Sequence, residues 1–313
     1  MQTRIVRAVA LVTTLVACGD PSGPPGDDPT DSVGVGGTGV GAGGAGSGAT
    51  GSGAGTGTGG GALGLRVGYD GVQSFEAEIA GNETARGVIR STRVFFGHQS
   101  IGANTVEGMA SLGFGDPWVH WAFPEDADYN DGAYFGQQMI GENRHPAGKV
   151  DAFRSFMIDD AYGGRVDMAG FKFCFQDFEA DGDGDAVSNA PEIALLQARY
   201  AETIDDVRAA YPDVVLFHVT PPLVAATEWS ADQNVTRVAL GDWQKQTYGA
   251  TDVIFDLQDV ESTDPVTQQR CTALGVWALC DANAADDHSH LSTGGKERMA
   301  KALMTMVYRI ATE

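Results

Sequence analysis

Residues 93–102 read Arg93-Val94-Phe95-Phe96-Gly97-His98-Gln99-Ser100-Ile101-Gly102. An apolar run of strand length breaks at a glycine and presents a serine where a helix would start, the strand-to-helix turn of a parallel α/β sheet. Runs of the same kind recur at 171–175, 214–219 and 252–257, separated by longer amphipathic stretches. The clearest of these spans 293–311, where Met299, Leu303, Met306, Val307 and Ile310 recur at helical spacing. A second helix is expected over 191–210, with Pro191 suited to the first turn and Ile193, Leu196, Tyr200, Ile204 and Val207 on one side. Helices over 233–248 and 148–157 complete the pattern, and no internal repeat interrupts it. The expected architecture is one α/β domain, a three-layer α/β/α sandwich around a mostly parallel sheet.

The chain has 313 residues, with Lys+Arg 20 against Asp+Glu 42 and a formal net charge of -22. Phosphate binding needs a cationic face, so nucleic acid and other polyanions are excluded as partners. Arg4 and Arg7 precede an apolar run over 8–17 that is too short to cross a bilayer but suits an export signal. It ends Leu15-Val16-Ala17-Cys18, which resembles the lipobox of bacterial lipoproteins; the resemblance implies that residues 1–18 are a lipoprotein signal segment whose Cys18 becomes the lipid-modified first residue of the mature chain. Residues 19–65 are almost all Gly, Ala, Ser, Thr, Pro and Asp, too apolar-poor to offset the entropy of ordering, and should form a disordered tether. The folded domain is expected over 66–313. An exported, membrane-anchored chain meets an oxidising compartment, so Cys271 and Cys280 are expected to pair, while Cys174 in its apolar run reads as a buried small hydrophobe.

Working residues of such sheets lie where strands give way to helices. Ser100 at its turn would meet backbone N–H groups and a positive helix end that favour an oxyanion, or would simply cap the helix. Near the other end, Asp286-Asp287-His288-Ser289-His290-Leu291 precedes the last helix. Asp287 and His290 stand three apart, so the carboxylate can take one ring N–H and leave the other nitrogen as a base. A solvated acidic turn would carry the same letters.

Over essentially all of 93–307 the order of these features resembles the SGNH/GDSL hydrolase family, whose flavodoxin-like fold the resemblance implies. Ser100 matches the nucleophile, and Asp287 with His290 matches the D-x-x-H ahead of the last helix. Gly141 matches the glycine of the second conserved segment, whose backbone N–H joins that of Ser100 in the oxyanion hole. Gln176-Asp177 stands where the family has Gly-x-Asn-Asp, so Gln176 would supply the side-chain amide, with Asn104 and Asn143 as alternatives. The first motif reads G-H-Q-S rather than G-D-S, a change tolerable if Ser100 still sits at the turn, since the chemistry needs the hydroxyl rather than its neighbours. His98 is a candidate pocket residue and His288 the rival of His290 as base. The resemblance implies acyl transfer from a small-molecule or glycan ester, with no cofactor required. A fold that binds a glycan without turning it over, and an acidic calcium-binding surface protein, are the alternatives.

Residues 181–192 read Asp181-Gly182-Asp183-Gly184-Asp185-Ala186-Val187-Ser188-Asn189-Ala190-Pro191-Glu192. Asp181, Asp183, Asp185, Asn189 and Glu192 occupy positions one, three, five, nine and twelve of a calcium loop, though Ala186 stands where such a loop has glycine. A structural calcium is one reading and an acidic turn capping the next helix is the other. His145 and His218 read as structural, and His120 between Trp118 and Trp121 as core packing. Trp229, Trp243 and Trp277 would suit stacking on sugar rings if they converged.

Overall fold

The computed structural model describes residues 63–121, 132–180 and 184–313. The signal segment with Cys18, residues 19–62 of the Gly-rich stretch, and Asp181 and Asp183 lie outside the described residues.

Seven strands form one sheet in the order β1-β7-β6-β5-β2-β4-β3, and every neighbouring pair is parallel. They are β1 (Leu65–Val67), β2 (Val94–His98), β3 (Val119–Trp121), β4 (Phe135–Met139), β5 (Met168–Phe171), β6 (Val215–Val219) and β7 (Val253–Phe255). The helices are α1 (Tyr69–Phe75), α2 (Glu83–Arg90), α3 (Ser100–Ser111), α4 (Pro146–Arg154), α5 (Ala190–Ala210), α6 (Asn234–Tyr248), α7 (Leu257–Glu261) and α8 (Thr293–Thr312). The protein is thus a parallel α/β fold with helices on both faces of the sheet.

Parallel strands need crossovers, and right-handed crossovers put the covering helix on a face set by the direction of travel. Travel from β1 to β2 and from β2 to β3 runs one way across the sheet, and that from β4 through β7 runs the other way. Helices α1, α2, α3 and α8 accordingly bury Phe75, Ile89, Ile101, Met109 and Leu303 in one apolar cluster. Helices α4, α5 and α6 bury Val150, Phe153, Tyr200 and Leu240 in another. Strand residues alternate between the two, Phe96 joining the first and Phe95 the second, as the two-residue period of a strand requires. The reversal lies between β2 and β5, which pair directly and whose carboxyl ends therefore flank a crevice.

The expected strand over 171–175 is corrected: β5 ends at Phe171, which pairs with Gly97 of β2. Beyond that pair the chain folds into a 3-10 turn, Phe175–Phe178, because the Asp177 carboxylate captures the Cys174 N–H at 2.7 Å. The helix expected over 148–157 starts earlier, at Pro146, and passes after Arg154 into a π turn, Ser155–Asp159. Cys271 and Cys280 form a disulfide, with Cα atoms 5.3 Å apart. Near it lies a two-stranded antiparallel ribbon of β8 (Thr272–Ala273) and β9 (Val276–Trp277).

Candidate active site

Ser100 is the first residue of α3, directly beyond β2. Its Oγ is buried and has no hydrogen-bond partner. One turn along α3, Asn104 accepts a hydrogen bond at 3.2 Å from the backbone N–H of Leu291. Leu291 immediately follows His290, so this bond draws the face of α3 that carries Ser100 to the loop that carries the imidazole. Asn104 thereby serves as a staple between the two, using the oxygen of its carboxamide.

Within that loop Asp287 acts as a small organising centre. Its Oδ1 accepts from the backbone N–H groups of His290 at 2.9 Å and Ser289 at 3.2 Å, and its Oδ2 lies 2.6 Å from His290 Nδ1. Partial burial works to raise the Asp287 pKa, but the bonds from the His290 backbone and ring outweigh it, and the carboxyl titrates below its ordinary value. A carboxylate on Nδ1 fixes the orientation and tautomer of the ring. His288 is exposed in a left-handed conformation at φ 59° and holds the loop through its carbonyl, which accepts from Ala225 N–H at 2.9 Å.

The turn after β5 approaches from the other side, with the Phe175 ring edge-on to the His290 ring at 5.6 Å between centroids. Gln176 follows it, partly exposed, while Asp177 is fully buried. Asp177 forms an ion pair with the equally buried Lys149 at 2.6 Å and accepts from Arg144 N–H at 2.9 Å. Lys149 also donates to the Glu142 carbonyl at 2.6 Å. These bonds lock the segment around Gly141 to the segment around Gln176. Asn143 lies between the two anchors, and its Oδ1 is buried without a hydrogen-bond partner.

Gly141 has φ +57°, and a Cβ there would lie 2.8 Å from Lys149 Cγ and 3.0 Å from its backbone nitrogen, so only glycine suits this position. Gln99, buried beside Ser100, donates through Nε2 to the Ile140 carbonyl at 2.7 Å and the Gly141 carbonyl at 2.8 Å. Four contacts thus join the four segments: Gln99 to Gly141, Lys149 to Asp177, Phe175 to His290, and Asn104 to the His290 loop.

One reading from the sequence needs correction. His98 is fully buried, with Nε2 at 2.9 Å from the Gln137 carboxamide and Nδ1 at 3.0 Å from the Gln99 carbonyl, so it ties β2 to β4 instead of lining a pocket. Ser100 itself sits at the turn the altered motif was expected to form, and its neighbours His98 and Gln99 bind the strand and loop that lead to Gly141. Gln99, Lys149 and Phe175 escaped the sequence reading. The one signal for Gln99 was its place in the altered motif.

The remaining candidates lie elsewhere. Asp185 pairs with His145 Nδ1 at 2.8 Å, while Asn189 and Glu192 bind backbone N–H groups at the start of α5. Among the described residues no three His, Cys, Asp or Glu side chains gather as a metal site would require. Burial pushes the Cys174 thiol up to about 11, which leaves it protonated and unreactive at neutral pH. His218 is buried between the Tyr200 hydroxyl at 2.8 Å and the Asp252 carboxylate at 2.9 Å. The three tryptophans have separate surroundings: Trp243 packs on Tyr200 and Tyr248, Trp277 lies under Arg270 and Lys245, and Trp229 is exposed.

No family model and no curated protein matches the sequence. Solved structures similar to the chain include a lipase/acylhydrolase from Enterococcus faecalis, at 13% identity and TM-score 0.41, covering 69% of this chain and 94% of that one. An acetyl xylan esterase variant from Geobacillus stearothermophilus aligns at 14% identity and TM-score 0.41, with 69% and 94% covered. The C-terminal catalytic domain of peptidoglycan O-acetyltransferase A from Streptococcus pneumoniae aligns at 9% identity and TM-score 0.39, with 70% and 94% covered.

Proposed function

We propose that the protein is a serine esterase that removes a short acyl group, such as acetyl, from a carbohydrate or lipid ester. The observation that carries the reading is the bond from Leu291 N–H to Asn104, which brings the Ser100 end of α3 to a loop whose His290 is already held by Asp287. In the proposed reaction His290 Nε2 takes the Ser100 proton as Oγ attacks the ester carbonyl. The N–H groups of Ser100 and Gly141 and the amide of Gln176 hold the tetrahedral oxyanion, and the alcohol leaves with the proton from His290. Water, activated by the same imidazole, then frees the acyl group as its acid and restores Ser100. Ahead of the domain, Cys18 would carry the lipid and the Gly-rich residues after it would tether the enzyme to the membrane after export, the folded part starting at β1 with Leu65 rather than at residue 66.

A second reading has an observation of its own. The Ser100 Oγ makes no hydrogen bond, which suits a glycan-binding protein that keeps the fold without an activated serine. The two are separated with the full chain in detergent, offered p-nitrophenyl acetate and a fluorophosphonate label. The esterase reading expects labelling at Ser100 and a loss of turnover in Ser100→Ala of at least about a thousandfold. Equal turnover by the two proteins, or a chain that stays unlabelled, rejects it.

A further inference from the structure

We propose that Gln99 is a positioning residue that sets the oxyanion hole by gripping the peptide that carries the Gly141 N–H. The proposal rests on the esterase reading of Ser100 and Gly141. It begins from what the side chain does not do. Gln99 occupies the position that caps α3, where a polar side chain ordinarily turns back to a free N–H of the first turn, yet it makes no such bond. It reaches instead across to the loop after β4, and both its partners there are carbonyl oxygens, so the group that meets them is the NH2.

The consequence follows from peptide geometry. In a planar trans peptide the C=O of one residue and the N–H of the next point in opposite directions. Holding the Ile140 carbonyl therefore fixes the plane and direction of the Gly141 N–H, and holding the Gly141 carbonyl fixes the following peptide as well. Ile140 is pinned on its other side by its own N–H, which donates to the His98 carbonyl at 3.0 Å. Gly97 allows the approach, since a Cβ there would lie 2.8 Å from Ile140 Cδ1. Three consecutive residues before the nucleophile thus fasten it to one segment: Gly97 by its missing side chain, His98 by its carbonyl and ring, and Gln99 by two hydrogen bonds. The nucleophile and the Gly141 N–H are built as one unit, with their separation set by a side chain of fixed length.

The test uses the full chain with Gln99→Met, which keeps the shape and removes the donors, and Gln99→Glu, whose ionised form also lacks them. Turnover of p-nitrophenyl acetate, the KM, the pH profile and the melting temperature are measured, with Ser100→Ala as the reference. For Gln99→Met the expected result is a fall in kcat of about 10- to 100-fold with KM within about twofold. The ratio of Gln99→Glu to Gln99→Met activity should rise severalfold from pH 8 to pH 5.5, because a protonated carboxyl regains one donor. A purely structural role would lower both variants together at every pH. If Gln99→Met turns over like the unaltered protein while Ser100→Ala is dead, the positioning role is overturned and the esterase reading stands. If Gln99→Met does not fold, a ratio of Gln99→Glu activity to that of the unaltered protein that stays constant across the same range overturns it. Undiminished turnover by Ser100→Ala removes both.

Discussion

Acid should unfasten the turn that carries Ser100 by protonating His98. The imidazole is fully buried, and loss of hydration lowers its pKa from the ordinary 6.5 to about 4, against the smaller opposing effects of its bonds to Gln137 and Gln99. The unfolded chain takes up this proton near pH 6.5 and the folded chain resists until about pH 4, so the unfolded state binds more protons between those values. Stability contributed by neutral His98 is therefore complete above pH 6.5 and lost as the pH falls toward 4. The separation of the two values corresponds to about 3 kcal/mol. Other groups titrate too: burial pushes the Glu261 carboxyl up to about 8, so its effect has the opposite sign and favours the fold as pH falls from 8. A His98→Asn variant removes the His98 contribution alone, because Asn can still donate to the Gln99 carbonyl but does not titrate. Urea denaturation of both proteins at pH 7, 6, 5 and 4 should show the stability difference shifting against the unaltered protein by about 3 kcal/mol across the range. Two curves that run parallel within about 1 kcal/mol would show that His98 is hydrated or relaxed in a way its burial does not allow.

Two further outcomes are expected. Lys149→Met leaves the buried Asp177 carboxylate without its cation and should cost about 3–5 kcal/mol in urea denaturation, much of it recovered by adding Asp177→Asn; a double variant as unstable as the single one would contradict the pairing. Reducing the Cys271–Cys280 disulfide opens a short loop and should cost about 2–3 kcal/mol, read as a melting temperature lower by several degrees in dithiothreitol and unchanged by it in a Cys271→Ala, Cys280→Ala protein.

Legibility followed the range of the interactions. Helices α5, α6 and α8 were readable because each repeats its apolar residues with a 3.6-residue period along one face, a signal contained in the segment itself. Strand β4 was not, because Phe135-Gly136-Gln137-Gln138-Met139 has little intrinsic preference for a strand. It is held extended by β2 on one side and β3 on the other, and one of its glutamines is engaged by His98. The same holds for β1, three residues placed by their pairing with β7.

By itself the sequence determined the alternation of strands and helices, the acidic character of the domain, the turn at Ser100 and the local Asp287–His290 pair, because each depends on neighbours within a few positions. Only the tertiary structure decided that Asn104 binds the His290 loop, that Gln99 holds Gly141, and that Lys149 and Asp177 bury their charges between two of the loops. These are contacts between segments far apart along the chain. They arise where parallel strands of different connections end together, and the period of a single segment carries no record of which distant backbone its polar side chains will meet.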